Sequence, residues 1–105
     1  MEVLIVDDEK MHADVVAEYK SLNGIKSTIL HSENTAIDWL TKNDCNSVIT
    51  DIKMLNGTGI DLMKWIIDEN SQTPIIAISA DGSSHETEQF CEVMKIPFLS
   101  KKLEL

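Results

Sequence analysis

The 105-residue sequence is short of basic residues and of long apolar runs, and each shortage excludes a class of protein. It has 9 Lys plus Arg against 18 Asp plus Glu, which gives a formal net charge of -9. Because that charge repels nucleic acid and anionic membranes, we expect no direct contact with either. Apolar runs such as 3–6 and 74–80 are too short to cross a bilayer, and no signal-like leader precedes them. The expected location is therefore the cytoplasm.

Cysteine and histidine are also scarce, and their spacing does not match a disulfide framework or a zinc site. Cys45 and Cys91 have no CxxC partner and no histidine at metal-ligand spacing, so we expect two reduced, half-buried thiols. The histidines are scattered, and the pattern gives no role to His12, His31 or His85. The length, with 43% hydrophobic and 26% charged residues, predicts one domain over residues 1–105.

Short β-branched runs alternate with amphipathic stretches along the chain, which is typical of βα units. The runs are rich in Ile, Val or Leu, as strands buried on both faces should be, and they cover residues 2–6, 27–31, 47–50, 74–79 and 97–100. Helical stripes lie between them: Met11, Val15, Tyr19 and Leu22; Ala36, Ile37 and Leu40; Ile60, Met63 and Ile67; Phe90, Val93 and Met94. The pattern predicts an α/β fold with a doubly wound parallel sheet.

In such a sheet the functional crevice lies beyond the carboxyl ends of the strands. The polar residues at those ends are Asp7, Asp8, Asp51, Ser79 and Lys101. Three converging carboxylates repel one another unless a cation neutralises them, and Mg²⁺ is commonly held by one or two carboxylates plus a phosphate. Taken alone, the acidic triplet 7–9 has a simpler explanation, because negative side chains are stabilised near the positive N-terminal end of the helix that follows. Asp51 follows an apolar run, which makes it a candidate nucleophile. Ser79 would supply a hydroxyl, and Lys101 a cation that can donate to phosphoryl oxygens.

Four motifs together resemble those of the response-regulator receiver domains of two-component signalling, in the same order and over essentially the whole chain. They are VLIVDDE at 3–9, DIKMLNGTG at 51–59, IAISA at 76–80 and FLSK at 98–101. The resemblance implies a flavodoxin-like sheet of five strands in the order 2-1-3-4-5. It also implies a cytoplasmic phosphoprotein that takes a phosphoryl group from a sensor histidine kinase or a phosphotransfer protein.

Carried over by position, the resemblance makes Asp51 the phosphoacceptor. Asp7 and Asp8 become the acidic pair that holds Mg²⁺, with Asp51 and the backbone carbonyl of Lys53 as further metal ligands. Lys101 becomes the lysine that pairs with the phosphoryl group.

The resemblance also implies a switch. Ser79 would turn toward the phosphoryl group and Phe98 would rotate into the space it leaves, which changes a partner-binding surface. Taken alone, Phe98 would more simply be core and Ser79 a hydrogen-bonded hydroxyl. Such a domain catalyses only its own phosphorylation and dephosphorylation, so we do not expect a conventional enzyme.

The sequence departs from the family pattern at its end. Lys102 stands where proline usually follows the lysine, and a cis bond before a non-proline residue costs about 2.5–4 kcal/mol. We therefore predict a trans Lys101–Lys102 bond, or a loop that reaches the site by another path. The chain stops at Leu105, where receivers continue, so the fifth helix is expected to be missing or truncated. The flank left open could bind a partner helix or a second copy of the chain.

One alternative remains open from the sequence, which is a degenerate receiver that binds partners without being phosphorylated. An aspartate-based magnesium phosphatase is disfavoured, because it would need a second acid where Lys53 stands. Lys53 and Asp81 could also pair across the mouth of the cleft and slow the attack of water on a phosphoryl group, or remain solvated charges.

Overall fold

The computed structural model describes residues 2–9, 14, 18, 21, 23–54, 57–69, 72–79 and 85–100. Its central sheet contains β1 (Glu2–Val6), β2 (Lys26–Leu30), β3 (Ser47–Asp51), β6 (Ile75–Ser79) and β7 (Phe98–Ser100). The strands lie in the order β2-β1-β3-β6-β7, and each neighbouring pair is parallel. Counted along the chain, this is the order 2-1-3-4-5, so the predicted fold is confirmed.

A small hairpin that the sequence pattern did not predict follows the central strand. β4 (Lys53–Met54) and β5 (Gly57–Thr58) pair antiparallel, and Lys53 lies opposite Thr58. Strand β3 also continues one residue further than predicted, so Asp51 is its last residue and lies within the ladder.

Among the described residues, three continuous helices lie against the sheet: α1 (Glu33–Lys42), α2 (Gly59–Glu69) and α3 (His85–Val93). Ser32 caps α1, because its Oγ accepts the backbone N–H of Thr35 at 3.2 Å. Asp14, Glu18 and Ser21, which are the described residues of the predicted first helix, are helical. That segment ends in a turn at Gly24, whose positive φ of 75° suits glycine.

The two faces of the sheet carry separate apolar layers, as expected for strands buried on both sides. Alternate strand residues such as Leu4, Val6 and Val48 pack with Ala36 of α1 and with Leu62, Met63 and Ile66 of α2. The intervening strand residues form the second layer, which contains Val3, Ile5, Ile49 and Ile78. Packing on both faces of the sheet therefore fixes the register of the strands and the position of their ends.

Two side-chain predictions need correction. Of the predicted apolar stripe of the last helix, Phe90 packs against the core as predicted, but Val93 and Met94 are 71% and 40% exposed. Cys91 is buried in the core in their place. Cys91 is buried rather than half-buried, whereas Cys45 is half-buried, and both thiols are free. Burial raises the pKa of both thiols, which keeps them protonated.

Several predictions fall outside the described residues. These are the pairing partner Asp81, Lys101, the Lys101–Lys102 peptide and the truncated fifth helix with its open flank, and all of them stay predictions. Within the described part of the chain, no helix is both long and apolar enough to cross a membrane.

One pair of substitutions tests the core assignment. Val48→Ala removes two methyl groups from a side chain that is 0% exposed, so we expect the free energy of unfolding to fall by about 2 kcal/mol. The same change at the exposed Val93 should alter it by less than about 0.5 kcal/mol. Urea unfolding followed by circular dichroism measures both, and equal losses would contradict the assigned core.

Candidate functional site

Two buried carboxylates lie at the carboxyl ends of neighbouring parallel strands. Asp7 directly follows β1 and is 0% exposed, and Asp51 ends β3 and is 3% exposed. Because β1 and β3 pair in parallel, with Val6 opposite Thr50, both strands reach the same edge of the sheet. The sequence prediction that these residues meet is therefore confirmed.

The half-buried Asp8 completes a cluster. One carboxylate oxygen from each of Asp7, Asp8 and Asp51 lies within 4.8 Å of the others. Three negative charges this close, two of them buried, repel one another and are poorly solvated, so a bound cation would stabilise them. The donors are all carboxylate oxygens, which hard divalent cations prefer. The residues therefore fit a metal ion, as the sequence predicted.

Hydrogen bonds hold Asp7 on three sides. Its backbone N–H donates to the carbonyl of Leu30 at 3.0 Å, and its carbonyl accepts from Nδ1 of His31 at 2.8 Å. Its Oδ1 accepts the backbone N–H of Glu9 at 2.9 Å. The sequence interpretation had given His31 no role. The rule that points to residues at the carboxyl ends of parallel strands also applies to His31, because His31 directly follows β2.

Asp51 is held by the neighbouring strand β6. Asp51 lies opposite Ile78 in the parallel register, and the N–H of Ile52 donates to the Ile78 carbonyl at 3.0 Å. The Thr50 hydroxyl donates to the Asp51 carbonyl at 3.0 Å. These bonds fix the backbone that carries the carboxylate, so its position follows from the sheet itself.

The other predicted site residues are placed by their backbone. Ser79 ends β6, one residue beyond the partner of Asp51, and lies opposite Ser100 of β7. Phe98 lies opposite Ala77, and Lys53 begins β4 two residues after Asp51. The side chains of Ser79, Phe98 and Lys53, and all of Lys101, lie outside what the structure describes. Their roles stay predictions.

Comparison with known proteins decides the family. The profile of the response regulator receiver domain matches residues 3–105. The chain belongs to the response-regulator receiver domains. It is 33% identical over 85 residues, or 81% of its length, to the response regulator SaeR of Staphylococcus aureus (strain USA300). Receiver domains are signal-transduction modules of two-component systems.

Two further relatives support the assignment. The autoinducer 1 sensor kinase/phosphatase LuxN of Vibrio campbellii is 27% identical over 92 residues, which is 88% of this receiver. A response regulator receiver protein from Pseudomonas putida superposes with a TM-score of 0.89 at 25% identity, covering 98% of this chain and 87% of that one. The receiver spans 37% of SaeR and 11% of LuxN, so it corresponds to only part of those proteins.

Cation binding at the cluster should be visible in stability. We predict that free Mg²⁺ at 100 times its Kd raises the free energy of unfolding of the wild-type receiver by about 2.7 kcal/mol. Asp8→Asn, which removes one charged ligand without emptying a buried position, should lose most of that increment. Asp68→Asn changes an exposed aspartate of α2 and should keep it. An equal increment in all three proteins would show that the cluster is not the binding site.

Proposed function

We propose that Asp51 is a phosphoacceptor, which takes a phosphoryl group from a phosphohistidine in a Mg²⁺-dependent reaction. The observation that supports it best is a carboxylate 3% exposed at the end of the central strand, with two further carboxylates within 4.8 Å of it. Such crowding is unfavourable for folding alone, and it matches what a cation and a phosphoryl group together require. The donor would belong to a sensor histidine kinase or a phosphotransfer protein.

The reaction needs little from the protein beyond position and charge. One carboxylate oxygen of Asp51 attacks phosphorus, a P–O bond forms, and the P–N bond of the donor breaks with its electron pair passing to the imidazole nitrogen. That nitrogen then takes a proton from solvent, and Asp51 becomes an acyl phosphate. When bound, Mg²⁺ would neutralise the cluster and the phosphoryl oxygens.

The chain's own residues would supply the remaining parts. Asp7, Asp8, Asp51 and the carbonyl of Lys53 would hold the cation. Lys101, which follows β7 directly, would donate hydrogen bonds to phosphoryl oxygens. The hydrogen bond that Asp7 donates to the Leu30 carbonyl, and the one that it accepts from His31, would keep the cluster in place before the phosphoryl donor arrives.

The output would be a change of surface. Ser79 and Phe98 lie on neighbouring strands, opposite Ser100 and Ala77. Attraction of the Ser79 hydroxyl to the new charge would free space into which Phe98 turns, so that a partner-binding surface changes with phosphorylation. The net charge of -9 disfavours nucleic acid as that partner.

The names of the relatives support this class of donor. SaeR is a response regulator and LuxN a sensor kinase/phosphatase, and the chain aligns over most of its length with a segment of each. A receiver that works in the cytoplasm beside a histidine kinase would fit both. A degenerate receiver that binds partners without phosphorylation is the outcome to expect if the chemistry fails.

The central experiment is intact-mass analysis. Incubated with Mg²⁺ and acetyl phosphate, the wild-type receiver should gain the mass of one phosphoryl group, and Asp51→Asn should gain none. Asp68→Asn, the matched control on the exposed face of α2, should behave as wild type. No gain in wild type, or a gain in Asp51→Asn, would reject the proposal.

The role of Lys101 has its own test. Lys101→Ala removes a charged donor to the phosphoryl oxygens, and we expect the rate of phosphorylation to fall on the order of 100-fold. Lys42→Ala changes an exposed lysine at the end of α1 and should leave that rate unchanged. The rate is followed by mass against time at fixed Mg²⁺. If both variants were equally fast, Lys101 would lie outside the site.

A further inference from the structure

Both backbone polar groups of Asp7, its N–H and its carbonyl, form hydrogen bonds with residues at the end of β2. The N–H of Asp7 donates to the Leu30 carbonyl at 3.0 Å, which continues the parallel ladder by one step. The Asp7 carbonyl accepts from Nδ1 of His31 at 2.8 Å. The second bond comes from a side chain, although the ladder elsewhere is made by backbone groups.

A side chain is used there because β2 has ended. The last register pair of β1 and β2 joins Val6 to Leu30, and Ser32 already caps α1. The imidazole of His31 therefore provides the Asp7 carbonyl with a donor where the strand turns into a helix. A carbonyl only accepts, so Nδ1 carries the hydrogen, and in the neutral ring Nε2 holds the lone pair.

These two backbone hydrogen bonds of Asp7 also fix the orientation of its carboxylate. With both of its peptide groups fixed, Asp7 has a fixed Cα–Cβ direction, and the Glu9 N–H at 2.9 Å from Oδ1 then restricts rotation of the carboxyl group. We propose that His31 is a positioning residue, which holds the Asp7 carboxylate in the orientation that cation binding and phosphoryl transfer to Asp51 require. The role in cation binding and phosphoryl transfer rests on the proposed function, whereas the hydrogen bonds that position Asp7 do not depend on it.

The exposure of the ring makes the proposal testable. His31 is exposed, so its replacement leaves no cavity and the variants should fold. Asparagine can place an amide N–H near the position of Nδ1, whereas glutamine places it near Nε2 and alanine has none. His31→Asn should therefore rescue what His31→Ala and His31→Gln lose. Asn34→Ala, at an exposed neighbouring position in α1, is the control.

The first readout needs no metal. By NMR, the Glu9 amide should exchange with solvent roughly 5-fold faster in His31→Ala than in wild type, because its acceptor is no longer held in place. His31→Asn and Asn34→Ala should exchange at the wild-type rate. Nitrogen-15 spectra of the wild-type ring at a pH where it is neutral should show the hydrogen on Nδ1, and a hydrogen on Nε2 would overturn the proposal.

The second readout is the Mg²⁺ affinity from calorimetry. We expect Kd to rise about 10-fold in His31→Ala, as for other residues that orient metal ligands, when each variant is measured well below its midpoint of thermal unfolding. His31→Asn should return Kd to near the wild-type value. An unchanged Kd in His31→Ala, or a loss that His31→Asn does not restore, would overturn the positioning role.

The two readouts separate the failure of this proposal from the failure of the proposed function. A wild-type receiver that binds no Mg²⁺ contradicts the proposed function, and exchange of the Glu9 amide then decides alone whether His31 holds Asp7. Faster exchange in His31→Ala supports that hold, and unchanged exchange rejects it.

Discussion

Electrostatic repulsion among three crowded carboxylates is the constraint on which the rest of this receiver depends. Asp7 and Asp51 are almost fully buried, and Asp8 brings a third charge within 4.8 Å. Bringing like charges together in a buried site is costly. In the proposed function, a cation and an incoming phosphoryl group would turn the same arrangement into a binding and transfer site. The crowded charge is therefore the feature that links this fold to the proposed chemistry.

The sheet is what makes the crowding possible. Parallel strands β1 and β3 end at the same edge, and apolar layers on both faces prevent the strands from shifting in register. Around each buried carboxylate, backbone bonds to the next strand fix the chain: Leu30 for Asp7, and Ile78 for the residue after Asp51. His31 adds a side-chain bond where β2 has ended. Strong local repulsion is thus opposed by many weak bonds and contacts elsewhere.

Much of this could be predicted from the sequence, for identifiable reasons. Buried strands such as 2–6 have a clear apolar signature, and the crevice rule for parallel sheets leads directly to Asp7, Asp8 and Asp51. The strand order 2-1-3-4-5 came from resemblance to a family, because periodicity says nothing about which strands are neighbours. The family match and the sheet order confirm that resemblance.

What the sequence missed depends on contacts between distant residues or on weak local patterns. The hairpin of β4 and β5 has two residues a strand, too few for any periodicity. The last helix offered few apolar residues, and the packing of Cys91 left Val93 exposed. The His31 bond to Asp7 joins residues 24 positions apart, so its partner is visible only once β1 and β2 are paired.

The most direct measurement of the central claim is a crystal structure of the receiver soaked with Mn²⁺, a stand-in for Mg²⁺ with a strong anomalous signal. The ion should lie among the carboxylates of Asp7, Asp8 and Asp51, with oxygen ligands close to the Mg²⁺ distance of about 2.1 Å. An anomalous peak at some other surface, or none at a saturating concentration, would contradict the claim that the three carboxylates form one cation site.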